Sequence, residues 1–226
     1  MAHCLVLYGW KTILNMATLY KDMTTHLEFL VEESSLKESL NQLLPKILPQ
    51  EISFAIHSYR GKDDLLNKLP SRLQGYKAWM PSHYKIIVLI DEDRQDCKAL
   101  KQKLEDIALN SGLTTKSKAN SIEPYQVINR IVIEELEAWF FGDPIAICTA
   151  YPKVPASIGG KSKYRIPDRI SGGTWEALER ELQQAGYHAG GLSKNEASRK
   201  ISEYMEPSRN SSASFQVFYR TLQHLI

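Results

Sequence analysis

Two short apolar stretches, each followed by an acidic residue, restrict what this chain can fold into. Residues 86–90 consist only of Ile, Val and Leu and precede Asp91, and residues 27–31 precede Glu32. Runs this short are typical of strands rather than helices, and strands covered on both faces by helices have this apolar composition. The sequence therefore predicts buried parallel strands with carboxylates at their carboxyl ends.

Elsewhere in the first two thirds of the chain, apolar residues recur with the period of helices or of strands. The predicted strands are residues 27–31, 52–56, 85–90 and 126–133, and the predicted helices are residues 35–47, 62–79, 94–110 and 134–141. A capping box of Ser35 and Glu38 predicts the start of the first helix, which we expect Pro45 to kink or end. We expect Pro70 and Gly75 to interrupt the second helix. This alternation predicts an α/β protein with a mostly parallel four-stranded sheet flanked by helices.

The pattern changes after residue 142. Residues 143–226 contain short helical stretches and a segment rich in Gly, Pro and Lys, so we expect a helical C-terminal extension with a basic loop. The α/β core is predicted to span residues 26–142. Residues 1–25 are expected to form an N-terminal extension outside the core, because the regular pattern begins only at His26.

The composition excludes several classes of protein. The chain has 226 residues, of which 43% are hydrophobic, and three widely separated cysteines that fit neither a disulfide framework nor a zinc site. No apolar run approaches the roughly 20 residues of a membrane span, so we expect a cytoplasmic protein without membrane contact. The net charge is only +2, so a nucleic-acid partner would need a local basic patch. The sequence has no glycine-rich phosphate loop with Lys and Ser or Thr, so we do not expect this chain alone to hydrolyse nucleoside triphosphates.

Three acidic residues at strand ends form the main candidate site. Asp91 and Asp93 are two residues apart, so on an extended strand end their side chains lie on one side and can share one ion. Glu32 follows another strand, and the carboxyl ends of neighbouring parallel strands meet at one crevice. Carboxylate oxygens of this kind suit Mg²⁺ or Mn²⁺. We predict a divalent-metal site at Glu32, Asp91 and Asp93; the alternative is that each acid simply faces solvent.

Other acids have two interpretations. Glu135 and Glu137 follow the fourth strand and could complete a second metal position, but acids in the first turn of a helix also stabilise its dipole. Glu33 and Asp96 lie close to helix starts, where the same stabilisation is an alternative to metal binding.

The best candidate for phosphate contacts is a basic segment in the C-terminal extension. Lys161, Lys163 and Arg165 alternate, so in an extended segment they would project to one side and contact nucleic acid, with Tyr164 available to stack on a base. A solvated basic loop is the alternative. A second basic cluster, in residues 194–200, is typical of an ordinary charged helix face.

Two segments resemble the signature motifs of the Toprim fold. Residues 29–32, Phe-Leu-Val-Glu, and residues 88–93, Val-Leu-Ile-Asp-Glu-Asp, are similar to motifs of topoisomerases, bacterial-type primases and nucleases of the overcoming-lysogenization-defect class. Many members have Gly after the motif glutamate, where this chain has Glu33. The resemblance implies that Glu32 is a general acid or base or a metal ligand. It also implies that Asp91 and Asp93 hold Mg²⁺.

A narrower resemblance covers about residues 26–226. Residues 135–143, Glu-Leu-Glu-Ala-Trp-Phe-Phe-Gly-Asp, together with residues 151–152 and 192–194, are similar to a bacterial Toprim-like family of unknown function. Members of that family are often encoded beside ATPases in phage-defence islands. The resemblance implies an ATPase partner and a role in antiviral defence.

The leading hypothesis is therefore a Mg²⁺-dependent nuclease or phosphodiesterase acting on DNA or RNA, as the effector of an anti-phage system. The alternative is a non-catalytic regulatory or docking module for the partner ATPase. A small phosphate-ester hydrolase or a nucleotidyl transferase is a third hypothesis. A homodimer is compatible with each of them.

Overall fold

The computed structural model describes residues 24–93, 95–120 and 124–226, in which the chain forms four strands and eight α-helices. The strands are β1 (His26–Val31), β2 (Ser53–Ser58), β3 (Tyr84–Asp91) and β4 (Val127–Val132). The helices are α1 (Ser34–Ile47), α2 (Lys62–Trp79), α3 (Cys97–Asn110), α4 (Glu137–Phe141), α5 (Pro144–Ala150), α6 (Thr174–Gln184), α7 (Lys194–Tyr204) and α8 (Ala213–Gln223). Three 3₁₀ turns, Ala156–Gly160, Ser162–Tyr164 and Pro167–Arg169, lie between α5 and α6. Residues 1–23 of the predicted N-terminal extension lie outside the described residues.

The four strands form one sheet in the order β2-β1-β3-β4, and every pair is parallel. In register, Leu30 on β1 is opposite His57 on β2 and Val88 on β3. The predicted α/β class, with a parallel four-stranded sheet, flanking helices and a helical C-terminal region, is confirmed.

Helices cover both faces of the sheet. On one face, strand residues such as Phe29, Ile87 and Ile128 pack with α1 and with helices of the C-terminal region. On the other face, residues such as Leu30 and Val88 pack with α2 and α3. Because both faces are covered, the central strands are mostly apolar, which is the pattern seen in the sequence.

The C-terminal helices share a hydrophobic core with the sheet. Trp139 on α4 packs against Phe215 and Phe218 of α8, with ring centroids 5.1 Å apart in each pair, and Phe218 also reaches Phe29 on β1. Lys46 at the end of α1 donates hydrogen bonds to the last carbonyl groups of α7. The aromatic residues at 139–141 therefore pack between the core and the extension.

One polar group interrupts the apolar strand β1. Glu28 is 7% exposed and accepts hydrogen bonds from the Tyr76 hydroxyl, at 3.0 Å, and from His57 Nε2, at 2.8 Å. Burial raises the pKa of Glu28, but these hydrogen bonds outweigh it and hold the pKa below its ordinary value. A buried carboxylate is tolerated here because its oxygens are paired.

The predicted helix ends need several corrections. α1 begins at Ser34 and its N-cap, Glu33, makes no side-chain capping bond, so the capping box at Ser35 is wrong. α1 continues past Pro45 to Ile47 and then ends. α2 is not interrupted, although it contains Pro70 and Gly75. Its buried residues Leu65, Leu69, Leu73 and Tyr76 pack on the sheet, and this packing outweighs the loss of one backbone hydrogen bond at the proline.

α3 and α4 each begin later than predicted. α3 begins at Cys97, because the Asp96 carboxylate accepts hydrogen bonds from the backbone N–H groups of Lys98 and Ala99. The helix-end role of Asp96 is therefore confirmed. Before α4, Glu134 has a left-handed backbone with φ of 60°, which breaks the path from β4 into the helix.

Within the described residues, no helix combines the length and the apolar character needed to cross a bilayer. Cys97 and Cys148 are free thiols.

Candidate functional site

The acidic residues meet where the order of the sheet reverses. From β1 the chain passes to β2 on one side, and from β2 it crosses to β3 on the other side of β1. In open parallel sheets, this switch point leaves a crevice at the carboxyl ends of the strands, where ligands bind. Glu32 follows β1 and Asp91 ends β3, so the two residues stand at either side of this crevice.

Glu32 and Asp91 contact each other directly. Glu32 is 4% exposed, and its Oε2 atom accepts a hydrogen bond of 3.0 Å from the backbone N–H of Asp91. Burial raises the pKa of Glu32 to about 7, and the charge of Asp93 acts in the same direction, whereas the Asp91 N–H and Lys62 oppose it. At neutral pH, Glu32 is therefore poised between its neutral and its charged form.

Asp91 has an unsatisfied oxygen. Its Oδ1 atom is buried and has no hydrogen-bond partner among the described residues. Burial raises the pKa of Asp91 well above its usual range, and the charges of Glu32, Glu137 and Asp93 add to the shift. A buried, unpaired carboxylate oxygen beside other carboxylates needs a proton or a cation as its partner.

Asp93 is placed differently from the prediction. β3 ends at Asp91, and Asp93 has a left-handed backbone with φ of 49°, so the two side chains do not alternate along one extended strand. The Asp93 carboxylate instead forms an ion pair with Lys62, at 2.9 Å between Oδ2 and Nζ. Asp93 nevertheless remains close enough for its charge to raise the pKa of both Glu32 and Asp91.

Lys62 is the first residue of α2 and reaches the site from the turn that follows the edge strand β2. The turn after β2 passes through Gly61, whose φ of 92° favours glycine and whose N–H donates to the Glu32 carbonyl. Lys62 also donates to the Glu92 carbonyl, at 3.1 Å. Sequence reasoning missed this residue, although its position just after a strand at the same edge of the sheet was a usable signal.

The two acids after β4 have different surroundings. Glu135 Oε2 accepts three hydrogen bonds from the start of α6: from the backbone N–H groups of Thr174 and Trp175 and from the Thr174 hydroxyl. Glu137 is 3% exposed, in the first turn of α4. Burial raises the pKa of Glu137 to about 7, against the effect of Lys194. The charge of Glu137 raises the pKa of Asp91.

Lys194 was interpreted from the sequence as part of an ordinary charged face, and this is wrong. Its ammonium lies 5.2 Å from the centre of the Trp175 ring and 4.0 Å from Glu33 Oε2. Burial lowers the pKa of Lys194, but the charges of Glu137 and Glu33, followed by Glu135 and Asp91, outweigh it and raise the pKa overall. Lys194 is thus a counter-charge to the acidic crevice, brought there by a helix far away in the sequence.

Glu33 is the N-cap of α1 with an extended backbone, φ −132° and ψ 162°. Any residue adopts this conformation, so the turn needs no glycine at this position.

Carboxylate oxygens fit a hard divalent cation, but the carboxylates described at this site do not form a coordination shell. Among the described residues, no three His, Cys, Asp or Glu side chains are arranged to hold a metal ion. Asp91 and Glu32 are the nearest to such an arrangement, whereas Asp93 is held by Lys62 and Glu135 by the start of α6.

The basic segment is not extended, contrary to the prediction. Lys161 and Lys163 lie in or next to 3₁₀ turns, and both form ion pairs with the buried carboxylate of Glu181. Tyr164 is 3% exposed, donates to Glu181 at 2.7 Å and stacks on Phe141, so it cannot stack on a base. Of the three predicted nucleic-acid contacts, only Arg165 has no ion-pair partner among the described residues, and it is exposed.

The fold and the site define an α/β protein with a carboxylate-lined crevice at the switch point of a parallel sheet. The family model described as "Domain of unknown function (DUF4276)" matches residues 31–223, and the chain belongs to this family. Neither the curated proteins nor the solved structures contain a match to the chain.

Proposed function

We propose that this protein is a metal-dependent phosphodiesterase that acts on nucleic acid, with Mg²⁺ or Mn²⁺ as its ion. The observation that carries the proposal is the buried Oδ1 atom of Asp91, which has no hydrogen-bond partner in the described part of the chain and lies beside Glu32 at the switch-point crevice. Two central strands deliver these side chains to the position where parallel sheets bind ligands. The likeness of residues 29–32 and 88–93 to Toprim motifs supports the same chemistry.

Asp91 and Glu32 would hold the ion, and Glu137 and Asp93 are further carboxylates whose charges raise the pKa of Asp91. Bound there, the ion supplies polarisation of a phosphoryl oxygen and a more acidic water. Carboxylates whose pKa values are raised by burial and mutual repulsion bind a cation in place of the missing counter-charge.

The remaining polar groups have roles of their own. The backbone N–H of Asp91 fixes the orientation of Glu32, so one of its carboxylate oxygens remains for a ligand. Lys62, paired with Asp93, and Lys194, beside Glu33, place ammonium groups next to the acids. These positive charges offset the repulsion between the acidic site and a phosphodiester.

The biological setting is part of the proposal. We infer an effector of antiviral defence in the cytoplasm, working with an ATPase partner, because of the narrower family resemblance of residues 135–143. A partner of this kind would control when the crevice meets nucleic acid.

The decisive experiment measures cleavage of single-stranded and duplex DNA and RNA with Mg²⁺ or Mn²⁺, with and without any ATPase that co-purifies with the protein. Asp91→Asn should abolish cleavage and keep the fold. Asp106→Asn, an exposed carboxylate on α3, is the matched control and should cleave like the unaltered protein. Cleavage that survives in Asp91→Asn would refute the proposal.

A second candidate, a docking module without catalysis, is favoured by one observation. Among the described residues no three potential ligands are arranged around a common point, and Lys62 already neutralises Asp93. A thermal shift assay separates the two candidates. No shift with Mg²⁺ or Mn²⁺, together with a stable ATPase complex, would support the docking module.

A further inference from the structure

A cleft in the C-terminal region is lined by three arginines, and we name it the arginine cleft. Arg165 and Arg169 belong to the segment of 3₁₀ turns, and Arg180 lies on α6. The cleft has a volume of about 410 Å³, and Lys163 and Ile166 also line it. Ile166 is 54% exposed, so an apolar surface lies beside the charged groups.

The three arginines are exposed, and none forms a side-chain hydrogen bond or ion pair within the described part of the chain. The neighbouring acids are already engaged. Glu181 is paired with Lys161 and Lys163, and the Asp168 carboxylate accepts hydrogen bonds from residues at the start of α8. The positive charge in the arginine cleft is therefore not neutralised by the carboxylates nearest in sequence.

The arginine cleft is joined to the acidic crevice by two rigid links. Tyr164 stacks on Phe141 of α4, with ring centroids 4.3 Å apart, and α4 also carries Glu137. The second link is α6, whose first residue, Thr174, is held by Glu135. Arg180 lies six residues further along α6, which corresponds to about 9 Å at 1.5 Å per residue. These links connect the arginine cleft to Glu135 and Glu137, the two acids that follow β4.

We propose that the arginine cleft binds the phosphates of a single nucleic-acid strand whose neighbouring phosphodiester lies at the acidic crevice. This inference rests on the proposed function. Guanidinium groups bind phosphate oxygens with two parallel hydrogen bonds, which makes unpaired arginines better suited to this ligand than the engaged lysines. A cleft of this volume suits a small ligand such as one nucleotide rather than the width of a duplex, and Ile166 offers an apolar contact to a base.

The test measures binding of a short fluorescent single strand, DNA or RNA, by anisotropy in EDTA, so that cleavage plays no part. The cleft variant is Arg165→Gln with Arg169→Gln and Arg180→Gln. The control variant is Lys98→Gln with Lys103→Gln and Lys118→Gln, which removes the same charge from exposed positions elsewhere. Circular dichroism checks that both variants are folded.

The cleft variant should bind at least about tenfold more weakly. The negative slope of log affinity against log salt should become less steep by about 2, since each phosphate contact to a single strand contributes about 0.7 to its steepness. The control should change affinity by less than about twofold. Equal losses in the two variants, equal affinity for duplex, or equal binding of an acidic peptide would overturn the inference.

Cleavage separates this inference from the proposed function. If the strand binds through the arginine cleft but no metal-dependent cleavage occurs, the inference stands and the proposed function fails. If cleavage occurs and the cleft variant retains full binding, the inference fails and the proposed function stands.

Discussion

The Oε2 atom of Glu32 accepts a hydrogen bond of 3.0 Å from the backbone N–H of Asp91, which joins the ends of the two central strands. The main chain of Asp91 thus fixes the side chain of Glu32. Two acids are thereby held close together despite their repulsion, and their protonation, the stability of the fold and cation binding become linked.

Glu32→Gln should stabilise the protein at alkaline pH in the absence of metal. The pKa of Glu32 is raised from 4.5 to about 7, so the folded state holds this proton more tightly than the unfolded chain. Its contribution to stability is complete below pH 4.5 and is lost as the pH rises towards 7. Glutamine removes that loss. Urea unfolding in EDTA should therefore show a free energy of unfolding that is higher by about 1–3 kcal/mol near pH 8 and unchanged near pH 4. Glu51→Gln, at an exposed loop position, should show no gain at either pH.

Mg²⁺ should raise the stability of the unaltered protein but not that of Asp91→Asn. A ligand that binds only the folded state stabilises it by about 2.7 kcal/mol at 100 times its dissociation constant. Asp91→Asn removes the carboxylate with the unpartnered oxygen, so it should lose most of this gain. Thermal unfolding with increasing Mg²⁺ measures the effect. An equal gain in both proteins would place the ion elsewhere.

Lys194→Met should destabilise the protein more at pH 8 than at pH 5. The pKa of Glu137 is raised to about 7, so Glu137 is more fully charged at pH 8, and the charge of Lys194 opposes that rise. Lys200→Met is the control on the same helix, because its ion pair with Glu196 is exposed and such pairs contribute little. Chemical unfolding at the two pH values gives the comparison. A loss that does not change with pH would mean that packing on Trp175, rather than charge, is responsible.

Glu105→Gln should remove an acid-sensitive part of the stability. Burial raises the pKa of Glu105, but hydrogen bonds from Lys101, Ser117, Thr115 and Asn129 outweigh it and lower the pKa to about 2. The carboxylate therefore stabilises the fold fully above its ordinary value of 4.5, and this contribution is lost as the pH falls towards 2. The variant should be less stable by about 2–3 kcal/mol at neutral pH and less sensitive to acid. Asp106→Asn, the exposed neighbour, should behave like the unaltered protein.

Gly142→Ala should destabilise the packing of the C-terminal helices. A Cβ atom at residue 142 would lie 2.1 Å from Asn210 Oδ1 and 2.9 Å from the backbone nitrogen of Ser212. Since the backbone cannot move aside easily, we expect a loss of about 1–3 kcal/mol. Gly160→Ala has open space around its Cβ position and should be almost neutral. Thermal unfolding compares the two variants, and equal midpoints would contradict the expected clash.

The strands and the two central acids could be predicted from the sequence because they depend on local patterns. Residues 86–90 must be buried on both faces, and an acid that follows such a strand must lie at the edge of the sheet. The left-handed conformation of Asp93 could not be read from this pattern, because it depends on contacts with β4 and on the Lys62 ion pair.

The positions of Lys194 and Arg180 could not be predicted, because distant segments bring them to their places. Lys194 reaches the crevice from α7, and the arginine cleft combines Arg165 with Arg180 across a turn and a helix. The ion pairs of Lys161 and Lys163 could not be predicted for a related reason. Their partner, Glu181, comes from α6, whose position no local pattern indicates.

The hydrogen bonds from the start of α6 to Glu135 have a thermodynamic consequence. Any second ion that recruited the Oε2 atom of Glu135 would compete with the N–H groups of Thr174 and Trp175. Coupling between two equilibria is reciprocal. The contact between α6 and Glu135 lowers the affinity for the second ion by a certain factor, and binding of that ion weakens the contact by the same factor. The number of ions bound in the crevice is therefore coupled to the position of α6, and with it to the position of Arg180.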